Sequence, residues 1–233
     1  MSPKQFDKNH YIKVVILAGG RDFGRCPLAS HLPPALWPVA GKPALERLLN
    51  HLAKQGIKKV AICCNGDAQL LAKSIHTNKH LKVDFLDEQL PVGAAGAIRD
   101  AISKEKNTLD RPKLGTILVL PASMVSLPKI ATLIEAHRNG QSDLTVMFNP
   151  KFPQGKDSAR TNHKLMASPA DIYVCETSIL QHIPKEGYFD IKEELIAQLL
   201  RAGKTVHTAI LPNHVGNFRD RKEYLCAISN YLK

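Results

Sequence analysis

Short apolar runs alternate with amphipathic stretches along the chain, and this alternation predicts its elements. "YIKVVIL" (11–17) has the length and apolarity of a buried strand. "PALERLLNHLAKQG" (43–56) places Leu45, Leu48, Leu49 and Leu52 on one face of a helix, with Pro43 suited to its first turn and Gly56 to its end. The pattern then repeats: "KKVAICC" (58–64) as strand, "AQLLAKSI" (68–75) as helix, "LKVDFL" (81–86) as strand, and a helix from about 94 to 104. "TILVL" (116–120), the helix "PKIATLIEAHRNG" (128–140) and "LTVMF" (144–148) follow. Beyond a polar stretch come "DIYVC" (171–175), a helix over 191–202, "TVHTAIL" (205–211) and a closing helix near 221–231. Strands alternating with helices predict an α/β fold whose sheet is joined by crossover helices. No repeat or linker interrupts the pattern, which predicts one domain over 1–233. The run 149–170, "NPKFPQGKDSARTNHKLMASPA", is long for a loop in a compact domain, and such loops are expected to be functional or mobile.

Composition changes this picture little. Hydrophobic residues at 44% and charged residues at 23% describe an ordinary globular chain. No apolar run approaches the roughly 20 residues of a bilayer helix, and "MSPKQFDKNH" lacks the apolar stretch of a signal peptide. These features set the expectation of a cytoplasmic protein without membrane contact. The five cysteines show no CxxC spacing, and Cys63, Cys64 and Cys175 sit in strand-like runs, as buried reduced thiols do. Cys26 alone lies in a loop with functional character. His76 and His80 have a spacing that would serve a metal on a helix, but "TNK" between them reads as a helix end, which makes them exposed loop residues.

Charge raises a different question. The net charge of +11 suggests a polyanion partner. The basic residues are dispersed, however, and aromatics amount to 6%, so a dedicated nucleic-acid surface is not indicated. A polyanion-binding protein on an inherited fold stays open as a third reading.

The candidate chemistry lies in "LAGGRDFGRCPL" (17–28), where a strand runs into paired glycines. Together with "PLASHLPPALWPVAGKPALERLLNHLAKQGIKKVAI", "VGAAGAIRDA" and "IPKEGYFDIKEELIAQLLRAGKTVHTAIL", this block resembles the sugar-phosphate nucleotidyltransferases over nearly the whole chain. The resemblance implies their three-layer α/β/α sandwich, a GT-A-like and Rossmann-like fold with a mixed, mostly parallel sheet. It also implies a reaction between a nucleoside triphosphate and a sugar 1-phosphate. That chemistry needs no protein nucleophile. It rests on positioning and charge, and so on a backbone cradle, cationic side chains and carboxylates for Mg²⁺.

By resemblance, Leu17, Ala18, Gly19 and Gly20 form the cradle, Gly93 and Ala94 a second nucleotide-contacting turn, and Glu88 a base-reading residue. The remaining parts depart from the family. Its x-Gly-Thr-Arg-Leu-x-Pro-Leu is replaced by Arg21-Asp22-Phe23-Gly24-Arg25-Cys26-Pro27-Leu28, with Gly24 in the place of the catalytic arginine. Arg21 and Arg25 are the candidate substitutes, and Asp22 opposes phosphate. The family's Pro-Lys is Pro33-Pro34, and Lys42 belongs to a separate Gly-Lys-Pro element. Ser123 stands at the first metal-binding aspartate, and Asn217 at the aspartate of the late W-x-D-I-G-T turn. Asp220 reads as the N-cap of the last helix. The sugar-binding segments are shortened into the 149–170 loop, where Lys164 is a candidate ligand, and Asp171 replaces the glycine before "IYV".

Two function classes follow. The first is a catalytically degenerate relative that binds a nucleotide or nucleotide sugar in a regulatory or assembly role, as a homo-oligomer or beside an active family member. The second is an active enzyme with a rebuilt site, and Mg²⁺ enters only with that second reading.

Overall fold

The computed structural model describes residues 11–19, 32–88, 90–104, 115–150 and 168–232. Its centre is a seven-stranded sheet. The first strand, β1 (Tyr11–Leu17), lies at the middle of the parallel part, because every one of Lys13 to Ile16 is buried and needs cover on both faces. Two very short strands, β2 (Pro38–Val39) and β3 (Lys42–Pro43), form a hairpin that leads into α1 (Ala44–Lys54). Then come β4 (Lys59–Cys64), α2 (Ala68–Ser74), β5 (Lys82–Asp87), α3 (Gly93–Ser103), β6 (Gly115–Pro121), α4 (Ile130–Asn139), β7 (Leu144–Phe148) and β8 (Pro169–Glu176). A π-helical turn at Ile191–Leu195 runs into α5 (Ile196–Arg201), followed by β9 (Val206–Ile210) and α6 (Arg221–Tyr231).

The strand order is β5-β4-β1-β6-β8-β7-β9. All neighbours are parallel except β8, which runs antiparallel to both β6 and β7. Because side chains alternate across a strand, β1 feeds two cores. Val14 and Ile16 pack with Leu45, Leu48 and Leu49 of α1 on one face. Val15 packs with Ile98 of α3 and Leu195 on the other. Helices on both faces of a mixed, mostly parallel sheet make the expected α/β/α sandwich.

The element expectations agree with this chain order to within two residues at most ends. The hairpin and a 3₁₀ turn at Thr177–His182 were not expected, since two- to six-residue pieces carry no periodicity. The 149–170 expectation needs trimming, because β8 begins at Pro169 and Asn149 is buried and donates its backbone N–H to the Ser168 carbonyl at 2.8 Å. The interior of that loop, with Lys164, lies outside the described residues. Among the described residues, no helix is long and apolar enough to cross a membrane.

Candidate nucleotide site

The sheet itself dictates where a site forms. Successive strands run outward from β1 through β4 to β5, and the chain then returns to place β6 on the other side of β1. In such sheets the crevice opens beyond the carboxyl ends of the strands where the order reverses. A cavity of about 520 Å³ lies there. Ala18 donates to the Cys63 carbonyl at 2.9 Å, Ala122 to Leu17 at 3.0 Å, and Glu88 to Cys64 at 2.8 Å, so three loops leave the sheet at one level.

Leu17, Ala18, Gly19, Glu88, Gly93 and Ala94 all line this cavity. The structure thus gathers six sequence-predicted residues from three separate segments. Gly20, Arg21 and Arg25, with Asp22 and Cys26, lie outside the described residues. Gly19 is exposed, and a Cβ there would meet nothing closer than Asn65 at 3.6 Å, so its backbone is open to approach. Gly93 has a structural reason of its own. Its φ is +75°, and a Cβ would fall 2.6 Å from the Phe189 carbonyl oxygen. That same carbonyl accepts from Ala95 at 3.0 Å and Gly96 at 3.1 Å, closing the first turn of α3. Burial raises the pKa of the Glu88 carboxyl, with the charges of Asp100 and Asp87 adding to the rise against a hydrogen bond from Val92.

The opposite wall was only partly foreseen. Met124 and Asn217 form a β-bridge, and Ser123 donates from Oγ to the Phe218 carbonyl at 2.6 Å. The two positions where the family sets aspartates are therefore neighbours. The turn that carries Asn217 is held by aromatic packing. Phe218 is fully buried, stacks on Trp37 at 5.9 Å and meets Tyr224 edge-on at 5.1 Å. Tyr224 donates to the Pro38 carbonyl at 2.6 Å, and Asp220 caps α6 through Glu223 N–H at 2.8 Å.

From this turn a polar chain runs into the cavity. Asn149 donates to Asn217 Oδ1 at 3.3 Å, and Asn217 donates to Asp171 Oδ2 at 2.9 Å. Asp171 also accepts from Lys192 Nζ on Oδ1 at 2.5 Å and from Arg219 Nη2 on Oδ2. Lys192 is placed by the helix start at Asp190, whose carboxylate accepts from Lys192 N–H at 2.7 Å. Burial alone would raise the Asp171 pKa, but the Lys192 hydrogen bond and the charges of Arg219 and Lys192 outweigh it and hold the carboxyl below its ordinary range. Asp171, Lys192 and Arg219 all line the cavity, and sequence reading had assigned no role to the last two. The available signal was the charged residue at a family glycine. The W-x-D-I-G-T turn that sets Asn217 at its aspartate also sets Arg219 at its glycine.

The donor set does not fit Mg²⁺. Ser123 and Asn217 offer neutral groups already engaged within the chain, and the nearest carboxylate is already bound to two cations. Among the described residues, no cluster of three His, Cys, Asp or Glu side chains has metal-binding geometry. Lys42 is held by Glu46 at 3.1 Å. His76 lies beyond the end of α2 with its side chain 94% exposed. Cys63, Cys64 and Cys175 are buried, and burial pushes the Cys64 thiol up to about 12, so these are unreactive.

A cleft at the carboxyl ends of parallel strands, backed by glycine turns, defines the α/β proteins that take nucleotides against main chain. More narrowly, the chain belongs to the nucleotidyl transferase family, whose model matches residues 13–156. It is 24% identical over 211 residues to a mannose-1-phosphate guanylyltransferase of Mycobacterium tuberculosis, covering 83% of this chain and 57% of that protein. It is 25% identical over 142 residues to a D-glycero-alpha-D-manno-heptose 1-phosphate guanylyltransferase of Aneurinibacillus thermoaerophilus, covering 60% of this chain and 58% of that one. The chain thus spans little more than half the length of these relatives. Among solved structures, HddC from Yersinia pseudotuberculosis superposes with a TM-score of 0.67 at 20% identity, over 94% of this chain and 99% of that chain. Its complex with GMP-PN gives the same TM-score at 19% identity, over 94% of this chain and 99% of that chain. At that identity the likeness concerns the fold.

Proposed function

We propose that this protein is a catalytically degenerate nucleotidyltransferase that binds a nucleotide or nucleotide sugar through Leu17, Ala18, Gly19, Gly20, Glu88, Gly93 and Ala94. Its role is then regulatory or in assembly, as a homo-oligomer or with an active relative. The observation that carries this reading is the state of Asp171. It is the carboxylate beside Asn217, and both of its oxygens are bound to cations of the chain. Losing one well-placed electrostatic group costs about 10²–10³ in rate, and here several positions have changed together. The guanylyltransferase names of the relatives make guanine nucleotides the first ligands to try.

A thermal-shift panel of nucleotides and nucleotide sugars, with and without Mg²⁺, tests binding, because a ligand that prefers the folded state raises its apparent stability. A metal-independent shift is expected. Pyrophosphate release across nucleoside triphosphates and sugar 1-phosphates tests the loss of catalysis, and none above background is expected.

One observation favours the second reading, an active enzyme with a rebuilt site: Lys192 and Arg219 bring two cations to the cavity. Robust turnover that falls on Arg25→Ala or Arg219→Ala would replace the degenerate reading with this one.

A further inference from the structure

The cluster around Asp171 differs from a surface ion pair in three ways. Its carboxylate is 17% exposed, whereas Lys192 and Arg219 are 42% and 65% exposed. The cations arrive from separate elements, 21 and 48 residues away in sequence, and take one carboxylate oxygen each. Finally, Asp171 holds a φ of +55°, a left-handed backbone that non-glycine residues seldom adopt, where the register between β7 and β8 shifts. Two cations thus converge on one carboxylate at the cavity wall. A lysine and an arginine converging on one pair of oxygens is how proteins hold phosphate and carboxylate ligands.

We propose that Lys192 and Arg219 form an anion subsite in this cavity and that Asp171 fills it as a tethered counter-ion, which makes Asp171 the residue that refuses ligands presenting a phosphate to this wall. Two physical arguments support it. A tethered carboxylate competes at an effective concentration in the millimolar range or above, so a free phosphate must displace a group that never diffuses away. A phosphate that approached without displacing it would also find both cations already engaged by that carboxylate. The rest of the described lining reinforces the sign, since Glu88, Asp190 and Glu193 add carboxylates without adding a cation. In sequence terms, two family glycines have been exchanged for residues of opposite charge that pair with each other. This inference does not depend on the nucleotide reading, because its probes are inorganic anions.

The test is a titration of inorganic phosphate and pyrophosphate, at constant ionic strength and without metal, read by thermal shift and calorimetry on the full chain. The wild-type protein is expected to respond no more than to chloride. Asp171→Asn keeps the shape and the hydrogen bond to Asn217 while removing the charge, and asparagine tolerates a positive φ. Asp171→Gly removes the carboxylate without backbone strain. Each is expected to bind pyrophosphate at least about tenfold more tightly than wild type. Adding Lys192→Gln and Arg219→Gln is expected to abolish the gain. The proposal is overturned if wild type binds pyrophosphate as tightly as the variants. It is overturned equally if the gain survives loss of both cations, which would place the anion elsewhere. Failure of both Asp171 variants to fold would also overturn it, since Asp171 would then be a folding residue.

Discussion

The two walls of the cavity are built on different principles. The wall formed by Gly19, Glu88 and Gly93 is main chain anchored in the parallel part of the sheet, and its positions follow from strand register. The wall formed by Asp171, Lys192, Asn217 and Arg219 is side chain, converging from β8, a helix start and the turn before α6. The first is held by backbone hydrogen bonds. The second exists only while its charges balance. Side chains of the second wall can therefore be exchanged without moving the main chain of the first.

The largest effects should come from breaking what holds each wall. Phe218 is fully buried between Trp37 and Tyr224 and fixes the turn that presents Asn217 and Arg219. Phe218→Ala is expected to cost about 3–5 kcal/mol in urea unfolding. In the same variant, the low pKa of Asp171 should relax toward an ordinary carboxyl value, read by NMR titration. Gly93→Ala attacks the other wall. Its Cβ would meet the Phe189 carbonyl in a backbone conformation that alanine avoids, and a loss of about 2–3 kcal/mol is expected. Here any nucleotide-dependent thermal shift should be lost.

The same division governs what the sequence could reveal. "YIKVVIL" alone located β1, and the registers of β1 with β4 and β6 and of β4 with β5 then determine where Ala18, Ala122 and Glu88 emerge. Such positions are local consequences of strand length. Gly93 was legible as special, but its need for φ +75° beside Phe189, 96 residues away, was not. Asp171 stood out as a charge replacing a glycine, yet nothing along the chain tied Lys192 and Arg219 to it. Pairing between residues 48 apart leaves no periodicity to detect. The site's backbone half was legible for that reason, and its charged half was not.

A smaller effect sharpens the charge balance. Asn217→Asp would set a second carboxylate where the amide now donates to Asp171 at 2.9 Å. Like charges at that range repel, and the loss of the hydrogen bond adds to it. A destabilisation of about 1–2 kcal/mol at neutral pH is expected. Combined with Asp171→Gly, the same substitution should be nearly neutral, since Arg219 and Lys192 then face one carboxylate again. A double-mutant cycle measures the difference as a coupling energy, and strict additivity would show that the residues do not communicate.

The smallest effect distinguishes the walls by pH. Asp171 has a folded pKa below its unfolded value, because Lys192 and Arg219 overcome the opposing effect of burial. Its stabilisation is fully present above the unfolded pKa of roughly 3.9 and is lost as pH falls through the lower, folded value. Glu88 has the opposite sign. Burial raises its folded pKa, so the stability linked to it is present below the unfolded pKa of roughly 4.3 and is lost as pH rises through the higher, folded value. Glu88→Gln should therefore flatten the pH dependence of unfolding on the neutral side of that window. Asp171→Asn should flatten it on the acid side. If both substitutions altered the same side, the two carboxyls would share one environment and the contrast between the walls would fail. If each acts on its own side, the cavity contains one carboxyl whose pKa burial raises and one whose pKa the chain's own cations lower.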